Sequence, residues 1–193
     1  RKGNVIRLVD LMDEGVRRAR LVTDEKSGHL SEEERATIAE AVGLASIRYS
    51  DLSQNPQTDV QFKWDKILAL DGNTAPFLMY SYARGRGIQR KSGRSDQTID
   101  DLRINSKIER ELVLLLLKFP VVIEMSHQSC KPNLLCDYLY MIADCFNRFY
   151  NLCPVLSAES DTIKNARLSL VECTLSVLEK GLSLLGIEAL DRM

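Results

Sequence analysis

Histidine and paired cysteine are scarce in this sequence of 193 residues. Its two histidines, His29 and His127, lie far apart, and no Cys-x-x-Cys pair occurs. A structural zinc site needs about four closely spaced ligands of these types, so we expect no metal site. An odd number of unpaired cysteines is typical of free, buried thiols in a reducing compartment. The five are Cys130, Cys136, Cys145, Cys153 and Cys173.

Long apolar runs are also missing. The longest, residues 112–117, is much shorter than the roughly 20 residues that a membrane-spanning helix needs. We therefore expect no membrane partner. The chain opens with Arg1-Lys2-Gly3-Asn4, and no apolar segment follows, which argues against a secretory signal. Such an opening is typical of a chain cut within a motif, so we expect a fragment of a longer protein.

An overall basic excess, the usual mark of a nucleic-acid-binding domain, is absent because the formal net charge is −1. Charge is nevertheless uneven, since residues 81–95 contain five cations and no acid. A local basic stripe of this kind can contact phosphates while the whole domain stays neutral, although a solvated helix end would look the same. The stripe consists of Arg84, Arg86, Arg90, Lys91 and Arg94.

Apolar residues recur at steps of three and four through most of the chain, which predicts helices and no strand. Ser-x-x-Glu capping boxes at 31–34 and 106–109 mark two helix starts. We predict a break near Gly43 and a loop over 23–30. The predicted helices cover residues 5–20, 31–52, 64–70, 76–90, 106–119, 121–128, 132–153 and 160–186, and the predicted fold is an all-α antiparallel bundle over 73–193, with further helices in 1–72.

Residues 71–84 are the most informative segment. Asp71, Gly72 and Asn73 tolerate turn geometry, and a helix can begin near Pro76. Spacings of three and four then place three residues on one helical face, namely Phe77, Tyr80 and Arg84. Two aromatic rings and a cation on one face suit an unstacked base and its phosphate, although an ordinary packed helix would show the same spacing.

The motif at residues 72–84 resembles the start of the anticodon-binding domain of arginyl-tRNA synthetase, a class I enzyme. It reads Gly-Asn-Thr-x-Pro-aromatic-x-x-Tyr-x-x-x-Arg. Three further blocks are similar to that family in the same order: residues 1–14, 59–68 and 166–193. The resemblance implies a C-terminal fragment. Residues 1–72 would be the tail of the catalytic core after a degenerate KMSKS-type loop, with stem-contact and linker helices, and residues 73–193 the DALR-type anticodon-binding domain.

The resemblance also implies an activity for the parent protein, an ATP-dependent arginine–tRNA ligase that uses Mg. Its partners would be tRNA(Arg), L-arginine and ATP, with no DNA, in the cytoplasm or in an organelle. The family's nucleotide-binding domain, with its His-x-Gly-His motif, would lie upstream of Arg1. We find no catalytic constellation in the sequence itself, so we expect this fragment to be inactive alone and to bind no cofactor.

The family's anticodon contacts, carried onto matching positions, give six site residues: Asn73, Phe77, Tyr80, Arg84, Tyr150 and Met193. Two departures stand out. Phe77 occupies a position where tyrosine is commoner, and the glycines at 85 and 87 replace the usual pattern and weaken the expected helix beyond Arg84. Arg167 falls at the arginine of the domain's Asp-Ala-Leu-Arg motif, which is imperfect here and reads Asn165-Ala166-Arg167-Leu168. We interpret it as either a structural residue or a tRNA contact.

A different class of function stays open from the residues alone. A helical protein-interaction module that binds no nucleic acid would also fit a bundle of this size, and the nearly neutral net charge favours it. The four collinear blocks and the basic stripe favour the RNA-binding interpretation.

Overall fold

Helices are the only regular secondary structure in the described part of the chain, which confirms the all-α prediction. The computed structural model describes residues 7–28, 30–55, 57, 62–93 and 103–193. Within them the helices are α1 (Leu8–Lys26), α2 (Glu32–Leu52), α3 (Trp64–Ile67), α4 (Ala75–Ser92), α5 (Lys107–Leu116), α6 (Phe119–Ser129), α7 (Pro132–Leu152) and α8 (Asp161–Leu184).

Both predicted capping boxes are present. The Ser31 and Ser106 hydroxyls accept from the backbone amides of Glu34 and Glu109, and each glutamate accepts from the amide of its serine. The Thr74 hydroxyl caps α4 by accepting from the Phe77 amide, and it donates to the Ala69 carbonyl at 2.8 Å. These local bonds satisfy amides that would otherwise be unpaired, so they fix where the helices begin.

The predicted break at Gly43 is wrong, because α2 passes through it without interruption. A Cβ atom at Gly43 would lie 2.7 Å from the Cα of Val16, so the glycine serves close packing of α2 against α1. The predicted loop over 23–30 is wrong in its first part, since α1 continues to Lys26. There the Thr23 hydroxyl donates to the Ala19 carbonyl, and Arg20 pairs with Asp24 one turn on.

The core of the bundle is built around α7, as its apolar stripe predicts. The stripe residues, all buried, are Leu135, Leu139, Ile142, Phe146 and Phe149. Helix α4 runs in the same direction as α7, because its contacts step forward along both helices, from Asn73 with Asp137 to Arg84 with Asn147. This parallel neighbour brings the two helix faces that carry the site side by side.

Helix α4 also continues beyond Arg84, where the two glycines had weakened the expectation. Gly85 is buried, and a Cβ atom there would lie 2.7 Å from Leu175 Cδ2 and 3.3 Å from Phe146 Cζ. The glycine therefore allows α4 to approach α7 and α8 closely. The helix ends at Gly93, whose φ of 65° is a conformation that glycine adopts without strain.

Tyr49 joins the α1–α2 hairpin to the bundle. Its side chain is 1% exposed, and its single hydroxyl proton is shared between two acceptors, Asn73 Oδ1 at 2.5 Å and the Cys136 carbonyl at 2.9 Å. Burial raises the pKa of this hydroxyl, which keeps it a neutral donor. The preceding residue, Arg48, donates to the Gly186 carbonyl. The hairpin is thus attached to α4, α7 and the tail that follows α8.

The thiols are mostly as predicted. Cys136, Cys145 and Cys153 are buried, and Cys173 is half-buried, but Cys130 is exposed at the end of α6, so the expectation of burial is wrong for it. Burial raises the pKa of Cys136 to about 12 and that of Cys145 to about 11, and thiols with such values are poor nucleophiles at neutral pH.

Arg167 lies in a buried ion pair, which supports its structural interpretation. Its Nε donates to Glu109 Oε1 at 2.8 Å, and its Nη1 donates to the Pro154 carbonyl at 2.8 Å. Glu109 is 2% exposed. Burial raises the pKa of this carboxyl, but the bonds from Arg167 and from the Asn105 and Ser106 amides outweigh it and hold the pKa below its usual value.

We expect Arg167→Leu to lower the free energy of unfolding by roughly 3 kcal/mol, because Glu109 would stay buried without its partner. Urea unfolding of the 193-residue chain at pH 7, followed by circular dichroism, measures the change. Arg148→Leu is the matched control, since its pair with Glu111 is exposed, and it should cost less than about 1 kcal/mol. Equal losses in the two variants would contradict the buried role.

The same comparison has a definite pH dependence. Because the folded chain lowers the pKa of Glu109, this group stabilises the fold above its unfolded-state pKa, and the contribution is lost as pH falls through the folded-state value. The gap in stability between the parent chain and Arg167→Leu should therefore be largest near neutral pH and shrink on acidification. A gap that stays constant down to pH 3 would count against the ion pair.

Candidate nucleic-acid interface

A guanidinium held between two aromatic rings forms the centre of the candidate site. Arg84 Cζ lies 4.8 Å from the ring centroid of Tyr80 on α4 and 5.1 Å from that of Tyr150 on α7. Cations at such distances are attracted by the negative ring faces. Tyr80 and Tyr150 remain 41% and 42% exposed, so both aromatic surfaces stay accessible to a ligand.

A chain of hydrogen bonds fixes the position of Arg84. Its Nη1 donates to Asn147 Oδ1 at 2.8 Å, and Asn147 Nδ2 donates to Ser81 Oγ at 2.9 Å. The Ser81 hydroxyl in turn donates to the Phe77 carbonyl, 2.8 Å away and one turn earlier on α4. The parallel packing of α4 and α7 places these partners opposite one another.

The stacked side chains line a cleft of about 870 Å³. Four of the six predicted site residues lie along it, namely Tyr80, Arg84, Tyr150 and Met193. Three further cations, Arg90, Lys91 and Arg192, also line it. The cleft therefore combines flat aromatic surface with positive charge, the two features that an unpaired stretch of nucleic acid requires.

The tail after α8 is attached to α4 by two members of the basic stripe. Arg86 donates to both carboxylate oxygens of Asp191, at 2.8 and 3.2 Å, and Arg90 donates to the Asp191 carbonyl at 2.8 Å. The Arg86 bond holds the pKa of Asp191 below its usual range. Arg86 and Arg90 thus hold the tail in place, while Arg94, the last member of the stripe, lies outside the described residues.

Met193 lies at the end of this tail, half-buried, between two spaces. One is the cleft, and the other is an apolar cavity of about 320 Å³ lined by α1, α2 and residues 68–76. Tyr80 lines both spaces as well. These two side chains therefore form a wall between the cleft and the apolar cavity.

The other two predicted site residues, Asn73 and Phe77, are not among the residues that line the cleft. The Asn73 amide accepts from Tyr49 and donates from Nδ2 to Asp137 Oδ1 at 2.9 Å, and its side chain faces a separate cleft of about 610 Å³. The Phe77 ring packs on Tyr140 with centroids 5.6 Å apart. A direct RNA contact by Asn73 or Phe77 stays a prediction.

Sequence reasoning missed Asn147 and Asp191. Their partners, Arg84 and Arg86, lie on α4, far from them along the chain, so no local pattern could have pointed to these pairs.

In the described ranges, no group of three or more His, Cys, Asp or Glu side chains could hold a metal ion. Over the same ranges, none of the helices combines the length and apolar character needed to cross a lipid bilayer.

Comparison with protein families gives two matches in sequence order. Residues 78–193 match the family described as DALR anticodon binding domain. Residues 1–64 match the family described as tRNA synthetases class I (R), catalytic domain. The first match covers more than half of the chain and contains four of the six predicted site residues in the cleft.

Individual relatives agree with these matches. The chain is 45% identical to an arginine–tRNA ligase of Fusobacterium nucleatum and 42% identical to one of Aliivibrio fischeri, with 100% of the chain and 34% of each relative covered. Its fold is similar to Thermus thermophilus arginyl-tRNA synthetase, with a TM-score of 0.92 and 30% identity over 100% of the chain and 33% of that structure. For the Plasmodium falciparum enzyme the TM-score is 0.85, with 28% identity over 98% of the chain and 34% of that structure. The chain spans about a third of the length of the curated relatives it matches.

The attachment of the tail can be tested without RNA. We expect Asp191→Asn to raise the rate at which carboxypeptidase releases Met193 by about two- to fivefold, because it removes the charge of an exposed pair. Glu188→Gln, a change of an exposed acid in the same tail, should leave the rate unchanged.

In the parent chain the release rate should rise as pH falls through the lowered pKa of Asp191, since protonation removes the same charge. Identical rates in the parent and in Asp191→Asn would show that Arg86 does not restrain the tail.

Proposed function

The chain belongs to the arginyl-tRNA synthetase family through its DALR anticodon-binding domain, and from that membership we propose that it recognises the anticodon of tRNA(Arg) within an arginine–tRNA ligase. The observation that carries the proposal is the Tyr80–Arg84–Tyr150 stack in a cleft of the region that matches the DALR family.

Recognition would follow from the chemistry of an unpaired loop. Bases of the anticodon can leave the RNA stack and lie on the exposed faces of Tyr80 and Tyr150, and each such stack contributes about 1–3 kcal/mol. Arg84 would supply charge and donors between the rings, and Lys91 and Arg192 would attract phosphates into the cleft. A local field of this kind explains how a chain of net charge −1 could bind RNA. In this proposal Met193 contributes to the wall of the base pocket, and Asn73 and Phe77 are outer contacts.

The two family matches support a division of labour along the chain. We assign residues 1–72 to the end of a catalytic core and to linker helices, and residues 73–193 to the anticodon-binding domain. The Tyr49 hydroxyl, which bonds Asn73 and Cys136, would then connect the two parts rigidly. Such a connection suits an enzyme whose recognition and reaction sites act on one tRNA.

The reaction itself belongs to the rest of the enzyme in this proposal. Arginine activation with ATP and Mg would take place in the part of the relatives that the chain does not span. We place the whole ligase in the cytoplasm. A protein-interaction module is less well supported, because a guanidinium clamped between two exposed tyrosines suits an RNA base better than a protein surface.

Affinity for tRNA(Arg) is the direct test. We expect Tyr80→Ala and Tyr150→Ala each to weaken binding of a tRNA(Arg) transcript to the 193-residue chain by roughly ten- to hundredfold, measured by filter binding. Phe62→Ala, which removes an exposed ring that does not line the cleft, is the control and should have no effect.

Binding should also fall with salt, with a log–log slope near 0.7 for each phosphate neutralised on a single strand. Affinity that does not change with salt, or that survives both tyrosine changes, would refute RNA recognition in this cleft.

The location of the reaction is tested separately. The 193-residue chain supplied with ATP, arginine and tRNA(Arg) should form no arginyl-tRNA above background, because the activating groups lie elsewhere in the ligase. Radiolabelled arginine incorporation measures this, with a full-length relative as the positive control. Measurable charging by the chain alone would overturn the assignment of residues 1–72.

A further inference from the structure

Asn147 is absent from the predicted site residues, yet both ends of its amide are engaged next to the cleft. Its Oδ1 accepts from Arg84 at 2.8 Å, and its Nδ2 donates to Ser81 at 2.9 Å. The side chain is half-buried on α7, one turn before Tyr150. It therefore connects the cation of the stack to both helices that carry the rings.

The direction of each hydrogen bond is fixed by the one before it. A backbone carbonyl can only accept, so the hydroxyl of buried Ser81 must donate to Phe77. This leaves the lone pairs of Ser81 Oγ for the amide nitrogen of Asn147, and Oδ1 must then point to Arg84. The reversed amide would set two donors against each other, because a guanidinium has no acceptor.

We propose that Asn147, oriented by Ser81, is the positioning residue that holds Arg84 between Tyr80 and Tyr150. This inference rests on the proposed function, since the stack is taken to be the RNA-binding surface. A free arginine side chain samples many rotamers, and an anchored one presents its charge at one place before the RNA arrives. Asn147 thereby reduces the conformational entropy that the Arg84 side chain would otherwise lose when RNA binds.

The neutral amide is also the appropriate group at this position. An aspartate at 147 would still accept from Arg84, but it would neutralise the cation and could not donate to Ser81. Asn147→Asp should therefore keep the stack and lower the salt slope of tRNA binding by about 0.7, the contribution of one phosphate contact. A slope equal to that of the parent chain would show that the charge of Arg84 does not act on the RNA.

A double-mutant cycle on the 193-residue chain tests the inference, with a tRNA(Arg) transcript as the probe. We expect Asn147→Ala to weaken binding about tenfold in the parent chain, as loss of a hydrogen bond to a charged group does, and to have no effect in an Arg84→Met background. Asn133→Ala, at the other end of α7, is the control for loss of an amide and should bind as the parent does.

The outcomes distinguish failure of the positioning role of Asn147 from failure of the proposed function. Equal losses in both backgrounds would overturn the role of Asn147 alone. So would no loss in either background while Tyr80→Ala still weakens binding. If Tyr80→Ala has no effect either, the proposed function fails. Thermal unfolding by circular dichroism verifies folding of each variant. If Asn147→Ala does not fold, Ser81→Ala tests the inference instead. This change keeps Asn147 but removes the hydroxyl that orients its amide, so it should weaken tRNA binding about threefold, and only when Arg84 is present.

Discussion

The close approach of α4 to α7 and α8 is the constraint on which the rest of the site depends. It rests on Gly85, because any side chain there would meet Leu175 and Phe146 of the core. At this separation Arg84 reaches a ring on each helix, and its guanidinium lies about equally far from Tyr80 and Tyr150. The recognition surface is thus a product of core packing, and the position of a surface cation is set by a glycine one residue away in the sequence.

Local signals in the sequence predicted the elements, because the physics behind them is local. The serine caps at 31 and 106 bond amides three residues on, and the apolar stripe of α7 follows the helical repeat, so both were readable from the chain. Gly43 was misread for the opposite reason. Its role depends on the backbone of Val16 in another helix, and a glycine that permits close contact looks the same in a sequence as one that ends a helix.

The site likewise combines features that local spacing predicts with features that depend on residues distant in sequence. The spacing of Tyr80 and Arg84 placed them on one face of α4, but only the family resemblance suggested Tyr150 and Met193 as their companions. Asn147 and the bond from Arg86 to Asp191 were invisible, since each joins residues that are distant in sequence. Two cations of the basic stripe, Arg86 and Arg90, bond Asp191, and charge counted along a chain does not reveal such pairs.

The wall formed by Tyr80 and Met193 has a consequence for how the cleft and its surroundings behave. With both side chains in place, the apolar lining provided by Val22, Ile38 and Val42 is separated from the polar cleft. A rotation of the Tyr80 ring away from Met193 would join the two spaces into a single chamber that reaches from α7 to the α1–α2 hairpin.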